Sequence, residues 1–322
     1  MPHYRIQHVT KYTYPTPVID CANQIKLYPI QDATQSVSKH EIIITGKPTI
    51  EEFYDYFGNK VGVFNLIRSH SELVIQSNIE VVTKPTAPPD ELMTPATQWQ
   101  YLNEIKRVYP FIDYLNYAGF DSLQEITDEV YKLTSHSTQT PLTVSKIIID
   151  FVFNNFKYKK GLTTVETEID DLWKLKAGVC QDFAVMSLVM LRIAGIPSRY
   201  VSGYICPKNH ELRGEGATHA WVEIYIPFYG WLGLDPTNNC IVNDRHVKLA
   251  VGRNFNDCSP VKGTYKGSGE HTLEVSVTIE NGTQKKDILN KETNRFSYVI
   301  RKEEPEINSY RRFLEMQQQQ QQ

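Results

Sequence analysis

GVCQDFAVMSLVMLRIAGIPSRYVSGY, residues 178–204, holds one helix with both ends marked and the strand that follows it. Ala184, Leu188 and Leu191 recur at the spacing that puts them on one helical face. Gly195 supplies a C-terminal cap and Pro197 forbids continuation, so the pattern predicts a helix over 180–194 and a strand over 198–205. Cys180 then stands at the helix start. Unpaired backbone N–H groups and the helix dipole favour a negatively charged sulfur there, and the same N–H groups can hold an oxyanion once sulfur has attacked a carbonyl. Most cysteines are small buried hydrophobes, so position alone does not make a nucleophile. A thiol that does chemistry also needs a base, and the base needs a group to orient it.

Both occur downstream. In Ala217–Ile226 (ATHAWVEIYI) strict alternation puts Ala220, Val222, Ile224 and Ile226 on one face and His219, Trp221, Glu223 and Tyr225 on the other. The aliphatic face must pack on a core, so His219 is expected on the opposite side. Asp235 ends the next strand, Gly230–Asp235, just before Pro236 and Thr237. Taken alone, His219 is an ordinary strand histidine and Asp235 a turn-initiating aspartate. If the two strands pair as a hairpin through residues 227–230, His219 and Asp235 come side by side next to the helix carrying Cys180.

Upstream, the first 84 residues read as strands: Tyr4–Tyr14, His40–Thr45, Glu51–Phe64 with a turn at Phe57-Gly58-Asn59, and Ser71–Val82 as a strand pair or one long bent strand. An antiparallel sheet or small sandwich is the expected packing, serving as a scaffold. The Pro-rich stretch 83–95 is a linker, and 85–120 reads as linker and helical connection. Helical stripes follow over 122–133 and 143–156, the second with Thr143 as expected N-cap behind the breaker Pro141. A strand over 272–280, a turn at Asn281-Gly282, a further strand at 295–301 and a Gln-rich, disordered tail over 311–322 are expected for the rest of the chain.

The chain has 322 residues, 41% hydrophobic and 22% charged, enough for two globular domains. A net charge of −3 supplies no basic footprint, so nucleic acid is not an expected partner. No apolar run approaches the ~20 residues of a membrane span, and the N-terminus does not read as a secretory signal. Five scattered cysteines, none in a C-x-x-C pair, argue against a disulfide framework or a structural zinc site; a cytoplasmic location is the expectation.

The blocks Gly178–Ala184 with Ala194–Tyr204, Thr218–Glu223, and Trp231–Asn238 resemble, in that order, the cysteine, histidine and aspartate segments of the transglutaminase-like superfamily. Leu27-Tyr28-Pro29 and Asp55–Val61 resemble the N-terminal β domain of its bacterial members, and Asp257–Gly263 with the strand 272–280 resembles their C-terminal extension. The resemblance implies an α+β fold. Its papain-like core carries the cysteine helix on an antiparallel sheet, preceded by a β-sandwich-like domain. The implied organisation is 1–84 β domain, 85–120 connection, 121–262 catalytic core, 263–310 β extension and 311–322 tail.

Carried over residue by residue, Cys180 is the nucleophile, His219 the general base and acid, and Asp235 the orienting carboxylate, with no departure at these positions. Gln181, Trp173 and Trp221 are weaker candidates for oxyanion or substrate contact; their bland readings are a solvated helix start and core filling. The implied chemistry is acyl transfer through a thioester on a peptide or protein substrate, without metal or cofactor. Hydrolysis is the favoured outcome and transfer to an amine the alternative. A non-catalytic peptide-binding module is a rival that intact Cys180, His219 and Asp235 disfavour, and a redox or metal protein lacks the cysteine spacing.

Overall fold

The computed structural model describes residues 1–90, 92–136, 138–164, 167–207, 212–214, 217–267, 270–282 and 292–301; the expected Gln-rich tail lies outside the described residues. Five strands come first: β1 (His3–Ile25), β2 (Gln35–Ile44), β3 (Glu51–Tyr54), β4 (Lys60–Leu66) and β5 (His70–Thr83). Helices α1 (Pro95–Ile105), α2 (Leu123–Leu133) and α3 (Pro141–Asn155) follow, then β6 (Lys157–Tyr158), α4 (Ile169–Leu175), β7 (Ala177–Gly178) and α5 (Cys180–Ile193). After α5 run β8 (Ser198–Ile205), β9 (Ala217–Ile226), β10 (Gly230–Asp235), β11 (Cys240–Ile241) and β12 (His246–Gly252). The chain continues through α6 (Phe255–Cys258), β13 (Val261–Lys266), β14 (Glu270–Asn281) and β15 (Glu292–Arg301).

β1 is much longer than the alternation over 4–14 predicts, because it serves two sets of neighbours. Its first half lies between β5, with Tyr4 opposite Val81, and β14, with Tyr4 opposite Asn281. Past a register irregularity its second half pairs with β4 and β13. The strands read as a C-terminal extension are therefore structural partners of the N-terminal sheet, and β13 crosses the expected boundary at 262/263. The segment 71–82 forms the single strand β5.

The second sheet has the order β11-β10-β9-β8-β12 and is antiparallel throughout. One face carries Ala220, Val222 and Ile224 and shares a core with Ala184, Leu188 and Leu191 of α5 and with α2 and α3. Tyr204, Val247 and Leu249 pack into a second core with Ile6, Ile75 and Ile79 of the N-terminal sheet. The result is an α+β core with an N-terminal β domain packed against its sheet.

One cap differs from expectation. Thr140, not Thr143, caps α3: its Oγ1 accepts from the Thr143 N–H at 3.2 Å, and Pro141 occupies the first helical turn. Proline there loses nothing, since that N–H has no intrahelical partner and the ring's fixed φ suits the helix. Pro141 thus begins the helix it was expected to precede.

Candidate active site

The start of α5 is built around Asp182. Its Oδ2 accepts from the Val179 N–H at 2.7 Å and from Thr163 Oγ1 at 2.6 Å, tying the helix entry back on itself. A Cβ on Gly178 would lie 2.2 Å from that same Oδ2, so glycine is required where this carboxylate folds over the backbone. Burial pushes the Asp182 carboxyl upward against these hydrogen bonds. At the other end, buried Arg192 donates to the carbonyls of Ser198 and Arg253, which fixes the helix to the strand that follows it. Cys180 is the first residue of this clamped helix and is half-buried.

The hairpin of β9 and β10 runs in the register Ile226 opposite Gly230 to Val222 opposite Leu234. Continued one step, it brings Asp235 across from Trp221, a diagonal away from His219. His219 Nε2 donates to Asp235 Oδ2 at 2.8 Å, and both side chains are fully buried. The other ring nitrogen, Nδ1, is buried without a well-formed hydrogen bond, while the Cys180 side chain lies near enough to act on the imidazole. His219 thus lies between the sulfur and the carboxylate.

Asp235 accepts more than that one bond. Oδ1 takes the Thr237 N–H at 2.9 Å and the Asn238 N–H at 3.3 Å, and Oδ2 takes Asn238 Nδ2 at 2.7 Å. His246, the first residue of β12, donates from Nε2 to Oδ2 at 3.2 Å. Its Nδ1 accepts from the Asn243 N–H at 3.3 Å, which puts the ring proton on Nε2. The Oδ2 oxygen therefore joins two imidazoles.

Burial acts to raise the Asp235 pKa, but His219, His246 and the hydrogen bonds outweigh it and hold the carboxyl well below the usual carboxylate range. Burial likewise works against a charge on His219, and the Asp235 carboxylate, helped by Cys180, overcomes it and pushes the imidazole up to about 10. His246 goes the other way: burial lowers its pKa despite Asp235. One imidazolium, one carboxylate and one neutral imidazole result. The two Nε2 atoms and Oδ2 also lie within 4.8 Å of one another, a spacing that could suit a cation; the direct hydrogen bonds already satisfy these atoms without one.

Of the weaker candidates, Gln181 lies beside Cys180 on the wall of a cavity of about 250 Å³ that His219 also lines. Trp221 is fully buried and does not line it; its ring packs edge-on against His246 at 5.3 Å and close to Gly203, where a Cβ would come within 2.6 Å of the indole. Trp173 lies elsewhere, beside Phe151 with the Lys176 ammonium over its ring and its Nε1 bonded to Glu125. No local motif in the sequence marks His246. It follows a turn as a lone histidine, and only the pairing of β12 with β8 on the far side of the sheet brings it to Asp235. Asn238, by contrast, sits in the Asp-Pro-Thr-Asn turn, whose short side-chain loop is a local signal.

Comparison with known proteins bears on this geometry. Residues 129–236 match the family model of the transglutaminase-like superfamily, and residues 4–82 match that of the bacterial transglutaminase-like N-terminal region. The protein ML0607 of Mycobacterium leprae is 30% identical over 278 residues, covering 85% of this chain and 97% of its own. A protein-glutamine gamma-glutamyltransferase of Pseudomonas aeruginosa is 30% identical over 160 residues, 48% of this chain and 22% of that one. Among solved structures, one described as a putative cysteine protease from Cytophaga hutchinsonii superposes with a TM-score of 0.67 at 19% identity, covering 92% of this chain and 98% of that one, which shows a shared fold.

Proposed function

This chain belongs to the transglutaminase-like superfamily, and from that premise we propose that it is a cysteine-nucleophile acyl-transfer enzyme that hydrolyses peptide or amide bonds. The observation that carries the reading is the buried His219–Asp235 pair, 2.8 Å apart, beside a half-buried thiol at a helix start. A histidine held charged by a carboxylate is poised to give its proton to a leaving amine.

In the proposed reaction the Cys180 thiolate attacks the carbonyl carbon, and the developing oxyanion is met by the first N–H groups of α5, with Gln181 alongside. The C–N bond breaks as His219 passes its proton to the departing amine, leaving an acyl–Cys180 thioester. Water then gives a proton to His219 while its oxygen attacks the thioester carbonyl. The C–S bond breaks, releasing the acid and restoring the thiolate. Asp235 keeps the imidazole oriented throughout, and His246 with Asn238 keeps Asp235 in place. These last two are positioning residues: they act through Asp235 and do not touch substrate.

Release of the thioester by an amine instead of water is a second reading, favoured by the likeness to the Pseudomonas gamma-glutamyltransferase. The test is an acid quench of the protein turning over an activated acyl ester, with mass spectrometry of the peptide containing Cys180. An acyl adduct on Cys180 that is absent in Cys180→Ala supports the reading, and a chain that never carries the adduct refutes it. Adding cadaverine then separates the two outcomes: an amide product favours amine transfer and free acid alone favours hydrolysis.

A further inference from the structure

The cavity beside Cys180 has a second wall that the core does not supply. Its far side is made by β1 and β14 of the N-terminal sheet. In their antiparallel register Thr10 stands opposite Val275 and Tyr12 opposite Leu273, so these four side chains share one sheet face. Leu249 of β12 and Val261 of β13 continue the same lining.

Apart from the Cys180–His219 pair itself, its described lining carries no charge. No Lys, Arg, Asp or Glu is among the described residues that line the cavity, whose titratable groups other than tyrosine are Cys180, His219 and His8. His8 has no hydrogen bond to spare: its Nδ1 contacts the Tyr204 hydroxyl at 2.8 Å and its Nε2 contacts Thr10 Oγ1 at 3.2 Å. Burial alone drives its pKa down to about 4, so it is neutral near pH 7. Along the β1–β14 wall, away from His219, a charged side chain would lose its water and meet no partner among the described lining residues, whereas an apolar one would lose only its hydration shell. The volume of about 250 Å³ exceeds that of an apolar cavity of about 150 Å³ known to admit benzene.

We propose that this cavity is the acyl-side specificity pocket, shaped jointly by the core and the N-terminal sheet, and that it takes an uncharged apolar side chain of the substrate. The proposal rests on the acyl-transfer reading above and gives the β domain a role in choosing the substrate. It also gives a reason why β14, remote in sequence from Cys180, is held against the strand carrying His219.

The experiment compares kcat/KM for p-nitrophenyl esters whose acyl group is acetyl, 3-phenylpropanoyl or succinyl, the last bearing a carboxylate. In each, the Cys180 sulfur attacks the ester carbonyl and p-nitrophenolate leaves. The phenylpropanoyl ester is expected to exceed the succinyl ester by roughly 10- to 200-fold, after correction for their rates with free thiol. Val275→Trp, which adds bulk to the cavity wall, is expected to lower kcat/KM for the phenylpropanoyl ester far more than for the acetyl ester and so remove that preference. Leu273→Lys provides an independent variant, expected to raise the succinyl rate relative to acetyl.

Equal rates for the three esters, or a preference that survives both substitutions, would overturn the pocket while leaving acyl transfer intact. No acylation of Cys180 by any ester, acetyl included, would instead remove the acyl-transfer reading and the pocket with it.

Discussion

Two buried carboxylates lie on neighbouring strands of the same sheet and are held ionised by different kinds of partner. Asp235, at the end of β10, is bonded to His219 and His246. Glu223, in β9, is bonded to Arg199 at 2.6 Å and to Lys248 at 2.6 Å, and Lys248 reaches on to Asp32 of the N-terminal region at 3.0 Å. Burial opposes ionisation at both, and nearby positive charge wins at both. The difference is what the partners can do. An imidazole gives and takes a proton near neutral pH, whereas guanidinium and ammonium keep theirs. The Glu223 cluster therefore reads as a tie between core and β domain, and the Asp235 cluster as machinery.

The largest separation between the two should come from neutralising each carboxylate in turn. Asp235→Asn is expected to lower kcat by about 10⁴-fold, because the amide no longer enforces the imidazole tautomer. Steady-state turnover of an activated ester checks this. Glu223→Gln should instead cost about 3–5 kcal/mol of stability in urea unfolding, since Arg199 and Lys248 lose a buried partner, with kcat of the folded protein unchanged. If Glu223→Gln abolished turnover without destabilising, the contrast would collapse.

A smaller effect is expected at His246. Its substitution by Leu, which has no donor, removes one hydrogen bond from a charged acceptor, about 1.5 kcal/mol or roughly tenfold in kcat, with KM unchanged. A role confined to packing would move the melting temperature and leave kcat alone.

The pH dependence of stability separates the clusters as well, because its sign differs between them. Folding raises the His219 pKa from 6.5 to about 10, so the stability it confers is complete below pH 6.5 and lost as pH rises toward 10. Folding lowers the Glu223 pKa from 4.5, so its contribution is present above that pH and lost as pH falls below it. The stability difference between wild type and His219→Gln should thus shrink on the alkaline side, and that for Glu223→Gln on the acid side. Chemical denaturation across pH measures both.

What was legible in the sequence follows the same division between local and distant. The α5 helix, the β9–β10 hairpin and the positions of Cys180, His219 and Asp235 are set by short-range patterns: helical spacing, strand alternation and a turn at 227–230. Alternation also assigned His219, Trp221 and Glu223 to the face away from the α5 core. It carried no sign that this face is buried too, since the covering comes from elements outside the strand. His246 and the β1–β14 cavity wall depend on pairings between residues far apart in sequence, such as Thr10 with Val275, which no local pattern encodes. Thr143 resembles a cap only if Pro141 is read as a breaker, whereas proline is well tolerated in a first helical turn and Thr140 caps the helix.

The most direct test of the account is the iodoacetamide alkylation rate of each cysteine at pH 7, in wild type and His219→Ala, with adducts located by mass spectrometry. The background is favourable: Cys21, Cys206 and Cys258 are buried, and burial pushes the Cys240 thiol up to about 12. The account predicts that Cys180 reacts fastest in wild type and slows roughly tenfold or more when His219 is removed. A Cys180 that reacts no faster than the other thiols, or is indifferent to His219, would contradict it.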